Sequence, residues 1–332
     1  MANELVINAT KNGFRIALLK DKGLIEYHID EKDNKFTVGD IYLGTIKKLV
    51  PSLNAAFVDI GYKKDAFLHY SDLGPQFQSL KKFLQPITKG QPPSQDLSQF
   101  KVEPSIDKLG KIASFLTKNQ HLLVQVVKEP ISTKGPRLSA ELAIAGRYMI
   151  VVPFINDVNV SKKITSSEER KRLVRLITSI KPKNFGVIVR TAAEGREAAK
   201  LDKDLKDSLK KWTEGIQKLA TAVPKDRIIG EMNRASSILR DMLNESFDNI
   251  VVDDQKAYGE IKEYIQKIAP EKENIVKHYQ GKPKIFEQYG IEKQLKMLFG
   301  QTVSLEGGGY LIIEHTEAMH VVDVNSGNKT VT

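Results

Sequence analysis

Three short β-prone runs at the start of the chain constrain everything that follows. Residues 5–9, 14–19 and 24–29 are separated by Lys11-Asn12-Gly13 and Asp21-Lys22-Gly23, the pattern of an antiparallel meander across residues 1–35. Strands this short and this few are not stable alone in water. Some later part of the chain must therefore supply the surface they pack on. The meander itself carries no recognisable chemistry.

Residues 36–140 read as a small barrel. Strand candidates fall at 40–49, 55–60, 66–69 and 121–127, with Gly44 and Gly61 as bend points. Phe57 and Phe67 flank the turn Gly61-Tyr62-Lys63-Lys64. Aromatic faces beside lysines suit stacked bases and their phosphates. Phenylalanines in strands equally suit a core, and spacing does not choose between the two. Residues 86–104, rich in Gln, Pro and Ser, read as a mobile loop insertion, followed by a short helix within 107–118.

Residues 141–235 read as an α/β module, with apolar strands at 147–154 and 185–190. Ser166-x-x-Glu169 is a capping box that opens a helix running to about Ile180. Leu201, Leu205, Leu209 and Trp212 form one helical stripe, and the Lys and Asp residues between them read as its solvated face. The strand ending on Arg190-Thr191 offers a guanidinium, a hydroxyl and nearby backbone N–H groups, the makings of a phosphate pocket. An ordinary strand-end arginine is the alternative. Residues 236–298 are mostly helical, with Ile238, Leu239, Met242 and Leu243 on one face, a strand at 249–253, and amphipathic helices at 257–268 and 286–299.

Near the end, residues 311–313 and 321–322 read as strands joined by a polar turn. Asp323 and Asn325 then share one face of the second strand. A carboxylate beside an amide makes a corner for a hard cation such as Mg²⁺. The same residues with Ser326-Gly327 also make an ordinary turn. His315 and His320, with Glu317 between them, match no zinc-site spacing.

Composition narrows the partners. Net charge is +10 and the pI is about 9.3, which favours a polyanion, with nucleic acid ahead of a membrane surface. The alternative is a merely basic soluble protein. No cysteine is present, so disulfides and thiolate metal sites are excluded. No apolar run approaches the roughly 20 residues that span a bilayer, and MANELVINAT has no signal-peptide pattern. A cytoplasmic protein is the expectation.

Several of these strings resemble the ribonuclease E/G family: TEAMHVVDVNSG after GGGYLII, VIVRTAAEG, and PSLNAAFVDIGYKKDAFLHYSDL. The resemblance extends over nearly the whole chain. It implies an α+β multidomain fold, in which a discontinuous RNase H-like domain (1–35 and 236–298) receives two inserted modules. These are an OB-fold RNA-binding barrel (36–140) and a 5′-sensor domain (141–235); a DNase I-like domain then begins at 299–332. It implies that Asp323 is a Mg²⁺ ligand supported by Asn325, and that Phe57, Phe67 and Lys134 contact RNA. It further implies that Arg190 and Thr191 bind a 5′-monophosphate with help from the Gly146 backbone. A supporting family arginine falls on Lys162, which keeps the charge and loses the planar fork. The activity implied is Mg²⁺-dependent endonucleolytic hydrolysis of single-stranded RNA, in ribosomal and transfer RNA processing and messenger decay, by a homo-oligomer when full-length. The family's second metal-binding Asp, its zinc-linking cysteine pair and its dimerisation domain have no match within the 332 residues. The expectation is therefore RNA binding with little or no cleavage, the alternative being a non-catalytic single-stranded RNA-binding module.

Overall fold

The computed structural model describes residues 3–31, 35–88, 94, 96–131, 133–231, 234–243 and 247–327. Two compact units emerge: Met1–Asp33 with Arg234–Thr332, and Asn34–Asn233.

In the first unit the meander Asn3–Thr10, Gly13–Lys20 and Gly23–Glu31 gains its missing surface from far along the chain. Phe247–Val252 pairs in parallel with Asn3–Thr10, and Val276–His278 pairs in parallel beyond it. The result is a mixed five-stranded sheet. Alternation along each strand sends side chains to both faces, and both faces are covered. Leu5, Ile7, Ile16 and Leu18 pack with the helices Arg234–Met242 and Gln255–Ile268. Val6, Ala17 and Leu19 pack with Ile285, Phe286, Ile291 and Leu295 on the other side. The expected helix over 286–299 is two short ones, Ile285–Gln288 and Ile291–Leu298. Gly290, with φ of 67°, breaks it.

The unit ends in a three-stranded antiparallel sheet: Thr302–Ser304, Tyr310–His315 and His320–Asn325. The last two strands are longer than the apolar runs suggested and pair in continuous register from Tyr310↔Asn325 to His315↔His320. Val321, Val322 and Val324 are exposed.

The second unit holds a closed five-stranded barrel of the OB type. Ile41–Val50, Ala55–Asp59, Ala66–His69, Arg137–Ser139 and His121–Lys128 follow one another around it, and pairing of Ile41 through Thr45 with Gln125 through His121 closes the ring. The three-residue strand Arg137–Ser139, too short for periodicity to reveal, completes the closure. Beside it, Val158–Val160, Phe185–Val189, Met149–Pro153 and Ile144–Ala145 form a four-stranded sheet. The helices Ser167–Ile180 and Ala198–Lys218 pack on it. Ser166 caps the first of these by accepting from the Glu169 N–H, but the expected capping box is half formed, because the Glu169 carboxylate turns to Arg172 and the Gly195 N–H. One contiguous apolar core runs through barrel and sheet alike.

The segment at 86–104 departs from its reading as a mobile loop. Its residues 89–93 and 95 lie outside the described set. Pro86 sits inside a helix, Phe77–Thr88, that was not anticipated. Leu97 is fully buried, and Phe100 packs against Phe83 and Phe154, which themselves meet Trp212. The buried Asn184 side chain donates to the carbonyls of both Leu97 and Phe100 at 2.7 Å. Two apolar anchors and a satisfied amide hold this stretch down, and composition alone could not show them. The expected helix within 107–118 is reduced to the single turn Ile112–Ser114.

Candidate nucleic-acid interface

Barrel register decides the role of the two phenylalanines. Phe57 and Phe67 are direct cross-strand partners, with ring centroids 6.0 Å apart and edges meeting faces. Both are half-buried, while their strand neighbours Ala56, Val58, Ala66 and Leu68 fill the interior. The rings therefore lie on the outer face of the barrel. Arg137 lies opposite Phe67, and past an irregularity in each outer strand Lys48 lies opposite Phe57 and Lys128 opposite Arg137. One row across five strands thus reads cation, aromatic, aromatic, cation, cation.

A groove of about 910 Å³ runs along part of this row, lined by both rings, by Lys64, Lys128, Lys134 and Arg137, by the carboxylates Asp65 and Glu129, and by the exposed Leu53 and Ile131. Among the described residues, Lys64, Lys128 and Lys134 have no ion-pair partner. Arg137 is held by a two-point contact with Asp72, 2.9 and 3.2 Å, which fixes its plane beside Phe67. Lys134 owes its place to Gly135. A Cβ there would stand 2.2 Å from the Asp65 carbonyl oxygen, so only glycine lets the loop lie this close to the strand end.

The second constellation is built on the four-stranded sheet. Arg190 Nη1 donates to the Gly146 carbonyl at 2.9 Å, and the Thr191 hydroxyl lies 3.0 Å from that of Ser161, the residue before Lys162. Gly146, Arg190 and Thr191 thus come to one place with Ser161, and Lys162, next in the chain, has an exposed side chain. Three supports were not anticipated. Arg170 gathers the carbonyls of Val160, Ser161 and Ile164. Glu169 accepts from the Gly195 N–H at 2.9 Å and pairs with Arg172, which also reaches the Arg196 carbonyl. The Arg172 guanidinium, with that N–H, holds the Glu169 carboxyl down to about 2 against the cost of burial. The third is Asp204, read from sequence as part of a solvated face. Its carboxylate instead accepts the N–H groups of Arg147, Tyr148 and Met149. Burial pushes the Asp204 pKa up from the ordinary range, and the N–H groups pull it back. A Cβ on Gly146 would stand 2.5 Å from an Asp204 oxygen, so this clamp requires glycine.

Asp323 and Asn325 do share a face, and the Asn325 amide donates to Asp323 Oδ2 at 3.0 Å. Oδ1 is left for another partner, and Asp323 is exposed. The His315 and His320 rings meet across the hairpin through their Nδ1 atoms. Among the described residues, no three His, Cys, Asp or Glu side chains converge as a metal cluster. No helix among them is long and apolar enough to cross a membrane.

A model of the Ribonuclease E/G family matches residues 143–332, and the chain belongs to that family. Ribonuclease G of Haemophilus influenzae is 34% identical over 326 residues, 98% of this chain and 62% of that protein. Ribonuclease G of Escherichia coli K12 is 34% identical over 327 residues, 98% of this chain and 63% of the relative. Ribonuclease E of a Nostoc species is 35% identical over 298 residues, 88% of this chain and 39% of the relative. The chain thus spans 62–63% of the length of these ribonuclease G relatives.

Proposed function

We propose that this chain binds single-stranded RNA and reads its 5′ end, as part of an endoribonuclease of the E/G kind. The observation that carries the reading is the row Lys48, Phe57, Phe67, Arg137 and Lys128. Two π faces accept unstacked bases of any sequence, and the flanking cations accept the phosphates between them. Duplex bases, stacked on their neighbours, could not reach the rings. Arg190, Thr191 and Lys162 are offered as the 5′-monophosphate pocket, with the Gly146 carbonyl orienting the guanidinium. A monophosphate ester presents more charge and more acceptor oxygens than a 5′-hydroxyl, so the pocket would favour it.

Asp323 fits a role in holding Mg²⁺, because that ion is commonly bound by one or two carboxylates plus substrate phosphate. Mg²⁺ held there would help to activate the attacking water and to neutralise the charge developing on the phosphoryl oxygens. The chain's own part is to present Asp323 Oδ1 while Asn325 fixes Oδ2. With one carboxylate assigned, the ion would be weakly held, and cleavage by these 332 residues would be slow or absent. RNA processing and decay in the cytoplasm, by a homo-oligomer, is the setting this reading implies.

The test is binding of matched single-stranded RNAs that differ only in a 5′-monophosphate or 5′-hydroxyl end, at low salt where phosphate contacts are strongest. The monophosphorylated strand should bind tighter, and Arg190→Ala should remove that difference while internal binding persists. Equal affinity for the two ends in the unmutated chain would sink the sensor. No binding of either strand would sink the whole reading.

A further inference from the structure

We infer that His315 and His320 form a two-imidazole site for a borderline divalent transition metal, separate from the Mg²⁺ role proposed for Asp323. Linear spacing hides this pair and strand register makes it. Tyr310–His315 and His320–Asn325 run antiparallel, and His315 stands directly opposite His320 at the last rung before the turn. Opposed residues put their side chains on one face, with Cβ atoms about 4.5–5.5 Å apart. There the two rings meet Nδ1 to Nδ1, with centroids 4.5 Å apart and planes 81° from parallel. The turn between them is fastened. The Thr316 N–H and hydroxyl both donate to the Met319 carbonyl, at 2.9 and 2.7 Å, and the Met319 N–H returns to the hydroxyl at 3.2 Å. Both rings are exposed, and among the described residues no other protein group bonds to either.

Two neutral imidazoles in this contact share one proton, because one Nδ1 must donate and the other accept. Moving that proton to the outer Nε2 of the donor ring frees both Nδ1 lone pairs toward one point. No proton needs to leave the protein. Zinc–imidazole bonds of about 2.0–2.1 Å set two such nitrogens about 3.4 Å apart on a tetrahedral ion. Exposed rings already in hydrogen-bond contact reach that separation by parting less than about 1 Å. Imidazole suits Zn²⁺, Ni²⁺ and Cu²⁺, whereas Mg²⁺ takes oxygen ligands, so the pair selects against the ion proposed for Asp323. Water completes the coordination. Residues three apart on a strand face opposite ways, so His320 and Asp323 lie on opposite faces and the two sites do not merge. An ion held by both rings would tie the strand that carries Asp323 to its neighbour at the open end of the hairpin.

The experiment is calorimetric titration of Zn²⁺, and separately of Ni²⁺, into the full chain near neutral pH with excess Mg²⁺ present. Amide hydrogen exchange across residues 310–325 is followed alongside. Variants are His315→Ala, His320→Ala and the two together, with His121→Ala and Asp323→Asn as controls. His315→Tyr and His320→Tyr keep a strand-favouring ring and lose the ligand, which guards against loss of the hairpin itself. The inference predicts one saturable site per chain that Mg²⁺ does not fill. Each single histidine change, to Ala or Tyr, should weaken it about tenfold or more, and the double change should remove it. His121→Ala and Asp323→Asn should leave it as it was. Zn²⁺ should slow exchange in both strands of the unmutated chain and not in the double variant. No saturable binding to the unmutated chain would overturn the site. Unmutated affinity in the double variant would also overturn it, by showing an adventitious ion only.

Discussion

At the scale of single residues, the rings of Phe57 and Phe67 stand half-exposed on a closed barrel whose interior is filled by their strand neighbours. Each change to Ala should therefore cost about 1–3 kcal/mol of single-strand RNA binding with little loss of stability. Paired titration and thermal-melt measurements separate the two effects. A large fall in melting temperature with unchanged affinity would make them core residues after all. Gly146→Ala should behave oppositely. Its Cβ would run into the Asp204 carboxylate, and relief of such crowding costs about 1–3 kcal/mol. Because the Gly146 carbonyl also orients Arg190, preference for a 5′-monophosphate should fall with it. A variant with normal stability and normal end preference would show that the clamp is slack.

Sequence draws attention to residues whose own chemistry suits a phosphate, as with Arg190 and Lys134, whose roles are proposed above. It gives no such signal where a side chain acts by aiming backbone groups. Asp204 lies among lysines on an amphipathic helix, and nothing in that helix's pattern distinguishes it from its solvated neighbours. Only the strand start at Met149, folded back over the helix, reveals its three N–H partners.

Between elements, the helix Ser167–Ile180 holds the loop after Arg190 through Glu169 and Arg172. The folded-state value of Glu169 is depressed from 4.5 to about 2. Its contribution is therefore complete above the ordinary carboxylate range and is lost as pH falls from about 4.5 toward about 2. Glu169→Ala should lower stability at neutral pH by about 1 kcal/mol, allowing for partial exposure. Melts across that acid range should show the mutant and unmutated curves converging. A constant gap down to pH 2.5 would mean that the carboxylate is not what the loop leans on. Element boundaries read from periodicity were close wherever strands had turn punctuation on both sides. They failed where tertiary contacts decide, at the helix Phe77–Thr88 and at the anchored residues Leu97 and Phe100. Gln, Pro and Ser around them give no periodic signal, and the two apolar anchors stand three residues apart in a polar background.

For the whole molecule, the resemblance in the sequence reached further than the physics of spacing did. Composition favours a polyanion, and the motifs carry the proposal that it is RNA. The register that lines up five strands' worth of cations and rings had to be seen. The cleavage prediction belongs here. With Asp323 the one carboxylate assigned to the metal, a Mg²⁺-dependent assay on a 5′-monophosphorylated oligonucleotide should show binding with little turnover. A longer chain that adds a second acidic ligand should cleave. Robust cleavage by these 332 residues that Asp323→Asn eliminates would show that one assigned carboxylate suffices.

The discontinuous sheet also sets a timetable. Asn3–Thr10 is made early, but its parallel partner Phe247–Val252 is more than two hundred residues downstream. At roughly 5–20 residues per second, the wait on the ribosome is on the order of 10–50 s. The Asn34–Asn233 unit has time to fold completely within that interval. The three early strands have an open hydrogen-bonding edge until the partner emerges, and a nascent chain stalled before Val252 would be the species most prone to capture by a chaperone or a neighbouring chain.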